Sequence, residues 1–136
     1  MRTTTDVEAR ITIRGDSDVA RAIAQANQMS QAAQFQAVDQ SRIATAVSEL
    51  ARNILKYAGQ GQMTLRRVID QRRRGMEIVA EDKGPGIADK DSALSDHFSS
   101  SGTLGLGLPG VRRLMDEFDL ESEPGAGTRV TVRKWL

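Results

Sequence analysis

One α/β domain, with strands in one layer and helices in the other, is what this chain of 136 residues predicts. Three observations point there. Short runs with strand-like alternation are separated by longer runs with helical spacing. Two of the strand-like runs are joined by a short polar turn, so part of the sheet is a hairpin. That suits a mixed sheet better than a doubly wound parallel one. The length, with 39% hydrophobic residues, provides for a single core.

Taken in order, residues 8–14 (EARITIR) alternate as a strand. Asp16, Ser17 and Asp18 offer N-caps for a helix to about residue 33, with Val19, Ala22, Ile23, Ala26 and Met29 on its apolar side. Residues 34–38 read as a break. Asp39 caps a second helix to about Tyr57, and Gly59 can take the left-handed position that ends it. Residues 62–69 and 75–81 read as strands of a hairpin with its turn at 70–75. Residues 83–107, rich in glycine and serine, show no period. Pro109 fits the first turn of a third helix reaching about Glu117, and residues 118–123 and 128–135 close the sheet as strands.

Composition narrows the function classes. The formal net charge is +1, which gives no electrostatic case for nucleic acid. With no cysteine there are no disulfides, thiolate metal sites or cysteine nucleophiles, a usage that suits a reducing cytosol. The N-terminal residues lack the apolar core of a secretory signal, and no run approaches the roughly 20 apolar residues of a spanning helix. A cytoplasmic location is expected.

Chemistry is concentrated in three motifs. On the second helix, at about 100° per residue, Ile43, Val47, Leu50 and Ile54 form the apolar stripe, and Glu49 and Asn53 share the neighbouring one. A carboxylate there can act as a general base toward a hydroxyl, and an amide oxygen can be a hard ligand for Mg²⁺. The plain alternative is a solvated edge with Glu49 paired to Arg52 or Lys56. Next, Asp82 ends an apolar strand and is followed by Gly84-Pro85-Gly86. The carboxylate suits an adenine amino group, and the glycines let a flat ligand approach the backbone. An Asp-Xaa-Gly turn is the simpler reading. Last, Gly105, Gly107 and Gly110 match G-x-G-x-x-G, but no strand precedes them, so a dinucleotide fold is excluded. The protein-kinase signature set and the P-loop are absent from the chain. What remains is a glycine loop leading into a helix whose free N–H groups can hold phosphate oxygens, or simply a flexible loop before a helix. For the site to be an accident, all three plain readings would have to hold together.

In this order the motifs resemble the N, G1 and G2 boxes of the GHKL superfamily, over nearly the whole chain. The resemblance implies the Bergerat fold, a mixed, mostly antiparallel sheet covered by helices on one face, as a single ATP-binding kinase domain over residues 1–136. Within the superfamily, SELARNI, AEDKGPGI, FSSSGTLGLGLPGVRRLMDEF and the final KWL are similar to the RsbT-like switch kinases of the stressosome, relatives of the anti-sigma-factor kinases. It implies ATP and Mg²⁺ as cofactors, with Glu49 as general base and Asn53 holding the metal. Asp82 would bind the adenine amino group, with Gly84, Gly86 and Ile87 shaping that pocket. Residues 88–104 would close over ATP. Gly105, Leu106, Gly107, Leu108 and Gly110 would receive the phosphates, and Thr128 would assist at adenine. The implied activity is transfer of the γ-phosphoryl group to serine or threonine of STAS-domain scaffold or antagonist proteins (RsbS/RsbR-like). A downstream phosphatase or other effector would then be bound and activated. An anti-sigma factor or ATP-gated binding module is the alternative.

Four further features carry plainer expectations. His97 is the only histidine, and no phospho-acceptor helix accompanies it. Ser99, Ser100 and Ser101 belong to the same loop. Arg72, Arg73 and Arg74 form a solvated hairpin tip that could dock an acidic partner. Trp135 is expected to pack at the sheet edge.

Overall fold

A computed structural model describes residues 3–86 and 107–136. Five strands form one sheet in the order β1-β2-β3-β5-β4: β1 (Thr3–Ile13), β2 (Gly61–Asp70), β3 (Arg73–Asp82), β4 (Glu117–Glu123) and β5 (Gly127–Trp135). All four pairings among the described residues are antiparallel, so the mostly antiparallel sheet expected from the resemblance is here antiparallel throughout. The helices are α1 (Asp16–Ala32), α2 (Ala37–Ala58) and α3 (Gly107–Leu114). They cover one face. Ile11, Ile13, Met63, Leu65, Met76, Ile78, Val130 and Val132, at alternate positions of four strands, pack with Ala22, Ala26, Ile43, Val47, Leu50, Ile54, Leu108 and Val111 in one apolar cluster. Each fully buried aliphatic side chain there contributes roughly 1.5–3 kcal/mol by removal from water.

Local chemistry sets the boundaries. Gly15 occupies the N-cap of α1, and Asp18 acts from inside the first turn, accepting Arg14 N–H at 2.9 Å and Arg21 Nη1 at 2.9 Å. The cap expected at Asp16 to Asp18 is therefore a carboxylate reaching back to the incoming chain. Helix α2 starts two residues before Asp39, and Gln40 Nε2 ties its first turn to the Phe35 carbonyl at 2.7 Å. Gly59 ends it at φ 81°, as its left-handed preference suggests. The β2–β3 turn is only Gln71-Arg72, with Gln71 at φ 58°, so Arg73 and Arg74 belong to the strand rather than to a longer turn. Helix α3 begins at Gly107, two residues before Pro109, and ends at Leu114; Glu117, expected as its last residue, starts β4. Pro109 still lies in the first turn, where its missing N–H costs nothing.

Among the described residues no helix lies against the other face of the sheet. Glu8, Arg66, Glu77, Arg133 and Glu117 stand in one row across all five strands. They alternate in sign and bond in sequence: Arg66 donates to Glu8 at 2.7 Å and to Glu77 at 2.8 Å, and Arg133 donates to Glu77 at 2.8 Å and to Glu117 at 3.3 Å. The bond from Arg66 holds the Glu8 carboxyl below the usual carboxylate range, and the bonds to Glu8 and Glu77 push Arg66 up. On the same face Trp135 lies over the bare backbone of Gly75, donates Nε1–H to Glu117 and carries Arg73 stacked 4.3 Å from its ring. It packs on the open face at the end of β5, an inner strand, rather than at the sheet edge as expected.

Candidate active site

Helix α2 is the spine of the site. Its apolar stripe, Ile43, Val47, Leu50 and Ile54, is at most 2% exposed, which fixes the helix rotation against the sheet. Glu49 and Asn53 are then held half-buried at the edge of that face, one turn apart, as the helical wheel requires. Glu49 does not pair with Arg52 or Lys56 in the manner of a solvated edge. Its Oε2 accepts the N–H of Gly107 at 3.3 Å, and Lys56 lies over the Tyr57 ring instead.

Helix α3 packs on α2. Leu108 and Val111 anchor it in the core, and Gly110 is buried. Gly107 starts it at φ 63°, a left-handed conformation that favours glycine. That geometry turns the first amide of the helix toward Glu49. A helix start offers unpaired N–H groups and a partial positive charge to an anion, and a carboxylate already uses one of them here. Leu108, expected at the phosphates, contributes its side chain to the core. Gly107 is at the mouth of α3 and Gly110 in its body. Ile87, Gly105 and Leu106, with the proposed closing segment 88–104, His97 and Ser99 to Ser101, lie outside the described residues.

At the other end of α2, β3 delivers Asp82 to the end of the sheet. Asp82 Oδ1 accepts Gly84 N–H at 2.9 Å, so the Asp-Xaa-Gly turn does form. Among the described residues this turn engages only that oxygen, and a carboxylate has a second one with which to accept. The two readings of this motif are thus compatible. The glycines have a different use from the one their spacing suggested. A Cβ on Gly86 would stand 2.2 Å from the Glu123 carbonyl oxygen, on Gly127 2.1 Å from that of Asp82, and on Gly84 2.8 Å from Ala58 Cβ. Gly125 N–H also donates to the Pro85 carbonyl at 2.7 Å. These glycines let the 82–86 loop dock on the β4–β5 turn and on the end of α2.

Thr128 is opposite Asp82 in the β3–β5 register, on the helix side of the sheet. A residue the sequence reasoning passed over joins it. Ser122, opposite Thr128 in the β4–β5 register, is 6% exposed and lies 3.0 Å from the Thr128 hydroxyl. The signal was available: Ser122 is the one polar residue in the inward series Phe118, Leu120, Ser122 of β4.

The contacts therefore line up along α2. Glu49 meets the start of α3, Asn53 follows one turn on, and Ala58 meets the Asp82 loop. From Glu49 to Ala58 is about 14 Å of helix at 1.5 Å per residue. Among the described residues no group of three or more His, Asp or Glu side chains could hold a metal. Asn53 fits Mg²⁺ in the way that ion is usually held with nucleotides, through one or two protein oxygens, substrate phosphates and water. The 490 Å³ groove elsewhere on the molecule lies on the open sheet face, lined by Arg66, Glu77, Asp119 and Arg129 among others, and contains none of the site residues. Among the described residues no helix is long and apolar enough to cross a membrane.

Known proteins resemble the chain in sequence and fold. Residues 15–134 match the family described as histidine kinase-like ATPase domain. The chain is 57% identical over 102 residues to serine/threonine-protein kinase RsbT of Bacillus subtilis, covering 75% of this chain and 77% of that protein. It is 33% identical over 100 residues to the anti-sigma F factor of Caldanaerobacter subterraneus, covering 69% and 68%. Its fold superposes with a TM-score of 0.66, at 15% identity, on a crystal structure of RsbU and RsbW domains from Mycobacterium tuberculosis, covering 95% of this chain and 32% of that larger one. With helices over one face of an antiparallel sheet and the three motifs aligned along α2, the chain belongs to the histidine kinase-like ATPase family, and its enzyme class is that of serine/threonine protein kinases, with ATP as the nucleotide.

Proposed function

We propose that the chain acts as a single ATP-binding kinase domain, transferring the γ-phosphoryl group of ATP to serine or threonine of STAS-domain partners in a partner-switching pathway, in the cytoplasm. The observation that carries this is the Glu49–Gly107 contact. It puts a carboxylate at the mouth of a helix start suited to phosphate, so the base and the anion cradle share one place. Phosphoryl transfer depends mostly on such positioning and on neutralising charge. Glu49 takes the proton of the acceptor hydroxyl, and the N–H groups of α3 hold phosphate oxygens. Mg²⁺, when bound, would supply positive charge to the phosphates, and Asn53 is the residue that would hold it. Asp82 accepts from the adenine amino group, and Gly84, Gly86 and Thr128 complete the base pocket. A downstream effector such as a phosphatase would be engaged once the partner is phosphorylated.

A second reading is a nucleotide-gated binding module or anti-sigma factor, favoured by the likeness to anti-sigma F factor. Binding alone needs no base, so Glu49 separates the two. The test is transfer of labelled phosphate from Mg·ATP to a purified STAS partner. Wild type should transfer, and Glu49→Ala should lose about 10²–10⁴-fold in rate, the usual worth of a general base. Full transfer by the variant removes Glu49 from the chemistry. No transfer by wild type to any cognate partner leaves the binding module.

A further inference from the structure

The short row Asp82–Thr128–Ser122 crosses the ends of β3, β5 and β4 on the helix side of the sheet. A hydroxyl has one proton to donate and two lone pairs to accept with. The Ser122 hydroxyl donates to the Gly127 carbonyl at 3.1 Å. With that proton committed, the 3.0 Å contact between Ser122 and Thr128 has Thr128 as its donor. The chain of bonds therefore runs one way, from Thr128 to Ser122 to the Gly127 carbonyl. Gly127 is held in place by its own close packing on the Asp82 carbonyl. Thr128 is left with lone pairs as its means of meeting a ligand.

We propose that Ser122 is a specificity-determining positioning residue: by taking the Thr128 proton it turns Thr128 into an acceptor, so that with Asp82 the pocket selects a purine bearing an amino group at its six position over one bearing a carbonyl there. This rests on the reading of Asp82 and Thr128 as the base pocket. Directly opposite residues of an antiparallel pair have Cβ atoms about 4.5–5.5 Å apart. Two acceptors at that spacing suit an amino group together with a bridging water that donates. A carbonyl oxygen in the same place meets two acceptors and leaves them unpaired, which is how buried polar groups reject a near-isosteric ligand. Without Ser122, the Thr128 hydroxyl can rotate and donate to that carbonyl.

The experiment compares ATP with inosine triphosphate, which carries a carbonyl at the six position, by equilibrium binding to the purified chain. Wild type should prefer ATP. Ser122→Ala should lower the ATP-to-ITP preference roughly five- to tenfold, mainly by tighter ITP binding, which corresponds to one hydrogen bond. Thr128→Val should lower it too, and adding Ser122→Ala to Thr128→Val should change nothing further. Thermal denaturation checks that each variant is folded, and Ser122→Cys, a poorer hydrogen-bonding group of similar size, replaces Ser122→Ala if the alanine variant is not. A wild-type preference in the Ser122 variant, with a lowered one in Thr128→Val, overturns the role of Ser122 and leaves the base pocket standing. An unchanged preference in Thr128→Val overturns the pocket reading itself.

Discussion

The two faces of the sheet use side chains in opposite ways. The covered face is apolar along most of its length and turns polar at its ends: Asp82, Thr128 and Ser122 form a row at one, and Lys134 meets Asp116 and Asp39 at the other. The open face carries a charged ladder from Glu8 to Glu117 across its middle, flanked by rows that hold Val79 and Thr131 on one side and Val68 and Trp135 on the other. Only the covered face combines half-buried polar groups with a helix start and a backbone that has no room to shift. The open face carries a 490 Å³ groove, but the charges of its central row are already matched with one another. Chemistry needs polar groups whose partners can be exchanged for a ligand, and self-matched ion pairs offer few.

Three measurements test this contrast. The largest effect is expected in the middle of the covered face. Ile78→Ala should lower unfolding free energy by about 3–4 kcal/mol in urea denaturation, because a fully buried branched side chain is lost and its cavity cannot collapse. A cost below about 1 kcal/mol would mean that the helices do not pack there. On the open face, Glu77→Ala leaves Arg66 and Arg133 without their shared partner. The carboxylate is nearly buried but both arginines still reach water, so the expected loss is smaller, about 2 kcal/mol. Nucleotide affinity should stay at the wild-type value; a tenfold loss would tie the two faces together and end the contrast. The smallest effect concerns acid. Arg67 holds Asp6, and Arg66 holds Glu8, below the usual carboxylate range. Because the folded-state values are lowered, their contribution is present above the ordinary carboxylate range and is lost as pH falls through the folded values. Both groups are exposed, so the slope of stability against pH there should be shallow. Glu8→Gln should flatten it slightly, and a steeper slope in the variant would reverse the assignment.

Much of this was legible from residues alone. The helical wheel placed Glu49 and Asn53 correctly because the four apolar positions of α2 leave one rotation that buries them. Asp82 could be placed because the apolar run before it alternates to the end of β3. What escaped depended on neighbours remote in the chain. The early part of β1, Thr3 to Asp6, has no apolar alternation; it is held by pairing with β2 and by Arg67 gripping Asp6 at 2.9 and 2.8 Å beside a register shift. Ser122 gains its role only from the β4–β5 register. Gly86 looked like an opening for a ligand, because nothing nearby in sequence announces that the Glu123 carbonyl lies against it.

That last point bears on how genetics of this protein should be interpreted. In a saturation screen for ATP binding, every replacement at Gly86 or Gly127 would score as a defect, since any side chain there collides with a carbonyl and the left-handed backbone rejects it as well. Such a screen would draw a map of the binding site on which these defects report the clash of chain on chain. Substitutions that keep the seam and change only a polar group, at Asp82, Thr128 or Ser122, are the ones that test the proposed base pocket itself.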